Sequence, residues 1–339
     1  LRKRHNLNIQ QKAHVTRVIF RGKRAIGVEY IQKGQTKTVH ARAEIILSGG
    51  AINSPQLLQL SGIGPGKLLQ SHNINIVHVS HHVGKNLQDH LGSDIYYHAN
   101  VPTLNQELNP MFGKLRAGLK YILTRKGPLS LSLNQGGGFI QIDPNASGPD
   151  LQLYFSPVSY TRAPAGVRPL MNPDPFPGFL MGFNPCKPTS VGNIQISSTD
   201  PMLPPKIYSN YLDTDYDKKM MIEGIRLIRR IANAPALNSI IKDELAPGVG
   251  IKSETDIAKY IRQKAWSVFH PCSTCRMGSN PNVSVVDPKL RVHGVDNLRV
   301  VDASIFPTIP TGNINAPSIM VGEYASDIIL KDARNQKGL

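Results

Sequence analysis

One histidine ends an apolar, aromatic approach and stands just before a proline: His270, in Trp266-Ser-Val-Phe-His270-Pro-Cys-Ser-Thr-Cys275-Arg-Met-Gly278. Pro271 keeps the residue ahead of it out of helical geometry. Imidazole titrates near neutral pH, so it can take up and return a proton under working conditions. A second stretch, Thr311-Gly-Asn313-Ile-Asn315-Ala-Pro317, is a Gly/Asn/Pro turn that opens an apolar run with helical spacing up to Leu330. A turn entering a helix presents unpaired N–H groups, which attract electron-rich ligand atoms. A histidine beside such a turn joins a proton acceptor to an oxyanion-friendly surface, and that combination suits alcohol oxidation. Taken alone, His270 reads as a core histidine bonded to backbone. Ordinary turn chemistry accounts for at least one of Asn313 and Asn315.

Other residues offer weaker chemistry. Cys272-x-x-Cys275 has the spacing of half a zinc site or a redox pair, but no second CxxC completes a structural zinc site. Two free cysteines packed beneath the histidine loop are the better reading, because free Cys is among the most buried residue types. With Cys186 they make three cysteines, too few for a disulfide framework in a chain of this length. Asp89 and His90 are adjacent, yet neighbours in sequence seldom face each other, so a satisfied turn is preferred to a catalytic pair. Asp302-Ala303 ends a buried β run, the edge at which α/β proteins hold ligand hydroxyls. Gly49-Gly50 lie between a buried strand and a helix, where backbone can approach a ligand closely. No G-x-S-x-G elbow accompanies His270, which argues against a serine hydrolase.

The elements that position these residues follow from periodicity. Alternation predicts strands at 14–20, 25–30 and 37–40, separated by charged glycine turns, and then a buried strand at 43–47. A short helix is expected over 56–60. From about residue 90 to 284, short strands near 94–98, 138–142, 151–155, 179–183 and 192–197 alternate with Pro- and Gly-rich loops, and helices are expected near 111–124, 217–233 and 254–263. This is an antiparallel sheet backed by helices, inserted as a second domain. Pro164, Pro169, Pro173, Pro175 and Pro177 mark an irregular loop able to wall a pocket. Segments 285–288, 290–295 and 297–302 return to strand, and a helix over about 316–331 closes the chain.

With 339 residues and 40% hydrophobic content, two domains and a sizeable core are within reach. No apolar run has transmembrane length, so no integral membrane segment is expected. The chain begins Leu-Arg-Lys-Arg-His, without initiator Met or signal peptide, and reads as a piece of something longer or a processed product. The net charge of +16 invites a nucleic-acid partner, and eight basic residues fall within the first 24 positions without an acid. Aromatics are not interleaved with them as a stacking platform requires, so no nucleic acid is expected. Triplets at Asn145-Ala-Ser and Asn282-Val-Ser permit secretion, and an extracellular parent protein is the expectation.

Several motifs coincide in order along the chain. Gly50-Ala-Ile-Asn-Ser-Pro55-Gln-Leu-Leu-Gln-Leu-Ser-Gly-Ile-Gly64 resembles the second signature of the glucose–methanol–choline (GMC) flavin oxidoreductases, and Val83-Gly-Lys-Asn-Leu-Gln-Asp-His90 resembles the loop that follows it. His270-Pro-Cys-Ser-Thr-Cys-Arg-Met-Gly278 is similar to the family's active-site segment. Val300-Val-Asp-Ala-Ser304 and Gly312-Asn-Ile-Asn-Ala-Pro317 resemble its C-terminal flavin-binding strand and turn. The style is closest to insect-type glucose dehydrogenases of the FAD/quinone kind. The resemblance implies a mixed α/β (α+β) fold: an incomplete Rossmann-like FAD-binding domain over 1–90 and 285–339, and a GMC-type antiparallel-sheet substrate domain over 91–284. The family's N-terminal G-x-G-x-x-G fingerprint is absent from this sequence. By the same resemblance FAD is the cofactor, an alcohol or sugar the substrate, and quinone or oxygen the electron acceptor. His270 is the catalytic base and Asn313 its partner, while Asp302, Ala303 and Asn315 contact the flavin and Val15 lies by the adenine. A catalytically silent, flavin-free relative acting as a binding protein is the alternative.

Overall fold

In a computed structural model of the chain, residues 4–160 and 172–336 are described. They form two compact units. The first comprises the chain up to Asp89, Ser190–Tyr211 and the chain from His270 onward; the second comprises His90–Thr189 and Leu212–Phe269.

In the first unit, alternating apolar residues build an antiparallel meander of Ala13–Arg21, Arg24–Gln32 and Gln35–His40. Its tight turns rest on Gly22 and on Lys33-Gly34, all at positive φ. Ile45–Leu47 then pairs in parallel with Leu298–Val300, which joins the two ends of the chain in one sheet. The expected strands at 285–288 and 290–295 reduce to isolated bridges, Val286 with Val292 and Met277 with Val286. Left-handed backbone at Leu290 and Asn297 turns the chain before either run can extend. The helix expected over 56–60 runs over Gly50–Leu60, with Pro55 inside it. Pro55 is the sixth residue of that helix, where its missing N–H leaves one helical carbonyl without its usual partner.

Segment 190–211 belongs with this unit, although a boundary at 284 had placed it in the second. Gly192–Gln195 pairs with both Lys206–Tyr208 and Lys85–Leu87. The buried Gln59 amide donates to the Ile194 carbonyl at 3.1 Å and accepts from the Ile196 N–H at 2.8 Å. Residues 270–284 join it too, through backbone bonds to 303–305 described below.

The second unit is an antiparallel sheet in the order Ile241–Ala246, Leu91–Ala99, Gly178–Pro185, Leu151–Ser156, Gly136–Ile140, with Trp266–Ser267 pairing at the start of Leu91–Ala99. The helix Asp215–Ala232 packs on it through Met221, Ile225 and Ile228. A Cβ at Gly224 would stand 2.1 Å from the Phe183 ring, so only glycine allows that approach. Thr214 and Ser253 cap this helix and Glu254–Lys264 by accepting from the Asp217 and Asp256 N–H groups. Of the proline loop, Pro173, Pro175 and Pro177 are described, while Pro164 and Pro169 lie outside the described residues.

Candidate active site

The loop that carries His270 is fastened along its length. Ser273, Cys275 and Met277 donate their N–H groups to the carbonyls of Ala303, Ser304 and Ile305 at 3.2, 2.8 and 2.8 Å. Pro55 has no N–H, so the Ala51 carbonyl one turn before it lacks its helical partner. The buried Thr274 hydroxyl donates to that carbonyl at 2.7 Å, and the proline thereby creates the socket that holds the loop. The His270 N–H donates to Asp89 Oδ1 at 2.8 Å, and the Tyr211 hydroxyl donates to Asp89 Oδ2. Asp89 therefore holds the histidine's backbone. His90 Nε2 meets the Cys186 carbonyl at 3.0 Å.

Within this frame His270, only 7% exposed, places Nε2 3.0 Å from Asn313 Nδ2. With the amide nitrogen donating, the imidazole lone pair is held at Nε2 and the ring is oriented as a neutral acceptor. Asn313 reaches this point from the turn ahead of the final helix, Asn315–Gln336. That helix is tied down by the buried Arg299, which bonds Glu44 at 2.7 Å and Asp332 at 2.9 Å. The guanidinium, with Lys289, holds the Asp332 carboxyl below the usual carboxylate range.

Cys272 and Cys275 are free and buried in the core under the loop. Burial pushes the Cys272 thiol up to about 12 and the Cys275 thiol higher still. Both stay protonated near neutral pH, which suits packing and not thiolate chemistry.

Asp302 is engaged by the protein itself. Its Oδ2 accepts from the Gly50 N–H at 2.9 Å and the Ser54 hydroxyl at 2.6 Å, and its Oδ1 from the Ser304 N–H at 2.8 Å. The carboxylate supplies the negative charge that the N-terminus of Gly50–Leu60 attracts, a helix with no acid in its own first turn. At Gly49-Gly50, where the glycines allow a close backbone approach, the Gly50 N–H is thus bonded from within the chain. Ala303 is buried next to it, and Asn315 is exposed at the first position of the final helix. Val15 stands apart from His270: it lines a cavity of about 530 Å³ with Val28, Ile45, Ser48, Gly49 and Asn53. The structure thus brings His270 to Asn313 and Asp302 to the glycine turn. Ser54 and Thr274 carry no local signal of these roles, and Asp89, expected in a satisfied turn, reaches the His270 backbone; these partners lie 181 to 248 positions away.

Comparison with known proteins bears directly on this arrangement. The N-terminal and C-terminal family profiles, both described as GMC oxidoreductase, match residues 1–92 and 188–322. An alcohol dehydrogenase (acceptor) of Pseudomonas putida is 42% identical over 97% of this chain and 59% of its own length. The mitochondrial choline dehydrogenase of Homo sapiens is 41% identical over 96% of this chain and 54% of its own. The chain thus spans little more than half the length of these relatives. Among solved structures, a formate oxidase superposes with a TM-score of 0.90 at 26% identity, covering 99% of this chain and 63% of its own. Pyridoxine 4-oxidase from Mesorbium loti gives 0.80 at 28%, covering 96% and 58%.

Proposed function

We infer that this chain, which belongs to the GMC oxidoreductase family, carries the catalytic part of an FAD-dependent enzyme that oxidises a CH–OH group. The observation that carries the reading is the 3.0 Å approach of Asn313 Nδ2 to His270 Nε2, two residues 43 positions apart on loops fixed independently of each other.

The residues present suit part of an extended dinucleotide. The 530 Å³ cavity has an apolar flank, Val15 and Ile45, and a backbone face at Ser48-Gly49. Gly50, at φ +79°, sits where an L side chain is strained. Val15 would hold the adenine end, and Ala303 and Asn315 would lie toward the flavin. Asp302 acts through Gly50 and Ser54, as a positioning residue. FAD, when bound, supplies the hydride acceptor.

The chain's own residues handle the proton. An alcohol oxygen that displaces the direct Asn313–His270 bond donates its hydrogen to His270 Nε2 and accepts from Asn313 Nδ2. As the C–H hydride departs, the hydroxyl proton ends on Nε2 and the carbon–oxygen bond becomes a carbonyl. Asn313 has no titrating group, so it orients the oxygen and stabilises its developing charge. Asp89 holds the backbone from which the imidazole projects.

The relatives' names point to alcohols as the substrate class, while quinone or oxygen as the acceptor rests on the family resemblance. The insect glucose-dehydrogenase subgroup rests on motif style alone. Secretion rests on the exposed sequon residues Asn145 and Asn282, and a glycosidase mobility shift of the natural protein tests it. Among the described residues no helix is long and apolar enough to cross a membrane.

The test of the activity is a visible absorption spectrum of the full protein after incubation with FAD, then anaerobic addition of choline, glucose and simple primary alcohols. A bound flavin bleached by one of these, and not bleached in His270→Ala, supports the reading. A full protein that retains no flavin identifies a silent relative instead.

A further inference from the structure

Left-handed backbone is uncommon outside glycine, and under a bulky side chain it marks strain that the surroundings must hold in place. Phe269, just before His270, has φ +61°, and Pro271 follows on the other side. Tyr211 stands between two such residues, Asn210 at φ +54° and Leu212 at φ +59°. Asparagine tolerates this conformation readily, whereas phenylalanine and leucine adopt it only under constraint. Such strain persists where several contacts over-determine the backbone, and it gathers at functional sites.

The two strained segments meet on one side chain. The Asp89 carboxylate, 8% exposed, accepts from the His270 N–H on Oδ1 at 2.8 Å and from the Tyr211 hydroxyl on Oδ2. Asp89, Tyr211 and His270 all belong to the first unit, each at a point where the chain passes into or out of it. Each segment is also fixed from its own side. Lys85–Leu87, just ahead of Asp89, pairs with Gly192–Gln195. Gln88 and Cys272 exchange backbone bonds at 3.2 and 2.9 Å, and the Gln88 side-chain oxygen accepts from the Ile309 N–H at 3.0 Å. Asn210 Nδ2 donates to the Val191 carbonyl at 3.2 Å, which closes the corner that carries Tyr211. The second bond to Asp89 matters because the terminal torsion of a carboxylate is broad and two-fold. A donor on Oδ1 alone leaves the group free to rock, and a phenol on Oδ2 stops that rotation with a charge-assisted bond.

We propose that Tyr211 is a positioning residue for the proton transfer: its hydroxyl pins the Asp89 carboxylate, which pins the His270 N–H and so keeps the imidazole at Asn313. The role rests on His270 being the base. Transfer of a proton is steep in distance, and a displacement of about 1 Å costs on the order of a hundredfold in rate.

The experiment compares the full FAD-loaded protein with Tyr211→Phe, which keeps the ring and removes the hydroxyl. Anaerobic flavin reduction is followed over a range of concentrations of whichever of choline, glucose or a simple primary alcohol bleaches the wild type, so that limiting rate and affinity separate. Tyr211→Phe lowers the limiting rate by about tenfold, with flavin content and affinity little changed and a larger solvent deuterium isotope effect. Asp89→Ala loses more, and Asp89→Asn recovers much of that loss, since its amide still accepts from the His270 N–H and donates to the Tyr211 oxygen. A second measurement needs no flavin: amide hydrogen exchange of the unloaded protein. In Tyr211→Phe the His270 amide exchanges at least tenfold faster, while the helix Asp215–Ala232 keeps its wild-type protection. A Tyr211→Phe protein with the wild-type limiting rate overturns the proposal, as does one whose His270 amide is as protected as in wild type. Failure of the base assignment shows separately, as a His270→Gln protein that reduces its flavin at the wild-type rate; that result removes the proton-transfer role, and exchange at His270 then decides the tether alone.

Discussion

Around His270, partners arrive from distant parts of the chain: Asp89 at its backbone, Asn313 at its ring, the Ala51 carbonyl on Thr274, and Ala303 to Ile305 along the loop. Along Met111–Thr124, six apolar side chains and their flanking cations find hardly any partner within the chain. The first region is organised to hold one geometry, and its polar atoms are used inside the protein. The second leaves its apolar surface uncovered within this chain. Burial and hydrogen bonding separate positions committed to the fold from positions that this chain leaves open, and both regions contain residues that motif reading alone would rank alike.

Substitutions sharpen the contrast, beginning with the largest effect. Asp302→Ala strips the charge from the start of Gly50–Leu60 and leaves the Ser54, Gly50 and Ser304 donors without their acceptor. Loss of a multiply bonded, half-buried carboxylate costs about 2–3 kcal/mol, read as a lower urea midpoint. Thr274→Val keeps the side chain's volume but strands the Ala51 carbonyl, for about 1–2 kcal/mol in the same assay. An unchanged midpoint would mean that Pro55's missing N–H needs no substitute.

Asp332→Asn tests the anchor of the final helix through pH. Its folded carboxyl is held below the usual carboxylate range by Arg299 first and Lys289 second. A depressed folded pKa contributes stability that is present above the unfolded value and is lost as pH falls through the folded one. The variant is therefore less stable than wild type at pH 7, and the difference closes as pH falls through the folded pKa of Asp332. A difference that persists at low pH would contradict the ion-pair account. Last comes Phe112→Ser/Leu119→Ser/Leu123→Ser on the exposed helix, whose unfolding free energy stays within about 0.5 kcal/mol of wild type. A large loss would mean that those side chains are core after all.

The sequence made some of this legible and hid the rest for identifiable reasons. The meander and the helices Met111–Thr124 and Glu254–Lys264 follow the periodicity closely, because alternation and 3.6-residue repeats are local properties. Periodicity shows that Met111–Thr124 has an apolar face, but not which way that face turns, since orientation is decided by what packs behind Ala117. Gly50–Leu60 was misplaced at its start because its capping acid, Asp302, lies 252 residues away. The His270–Asn313 pairing followed from motif order, whereas Asp89's hold on the His270 backbone needed coordinates. Segment 190–211 carries the same short-strand pattern as the second unit, and only the distant bonds of Gln59 to Ile194 and Ile196 tie it to the first.

The measurement that bears most directly on the central claim is the anaerobic rate of flavin reduction by an oxidisable alcohol, in the full FAD-loaded protein and in its His270→Gln variant. Glutamine can still hydrogen-bond but cannot accept the proton. The account predicts equal flavin content, and a rate lower by about two to four orders of magnitude that recovers partly as hydroxide concentration rises. A variant that reduces its flavin within about threefold of the wild-type rate would show that His270 is not the base, since a lost general base costs far more than that.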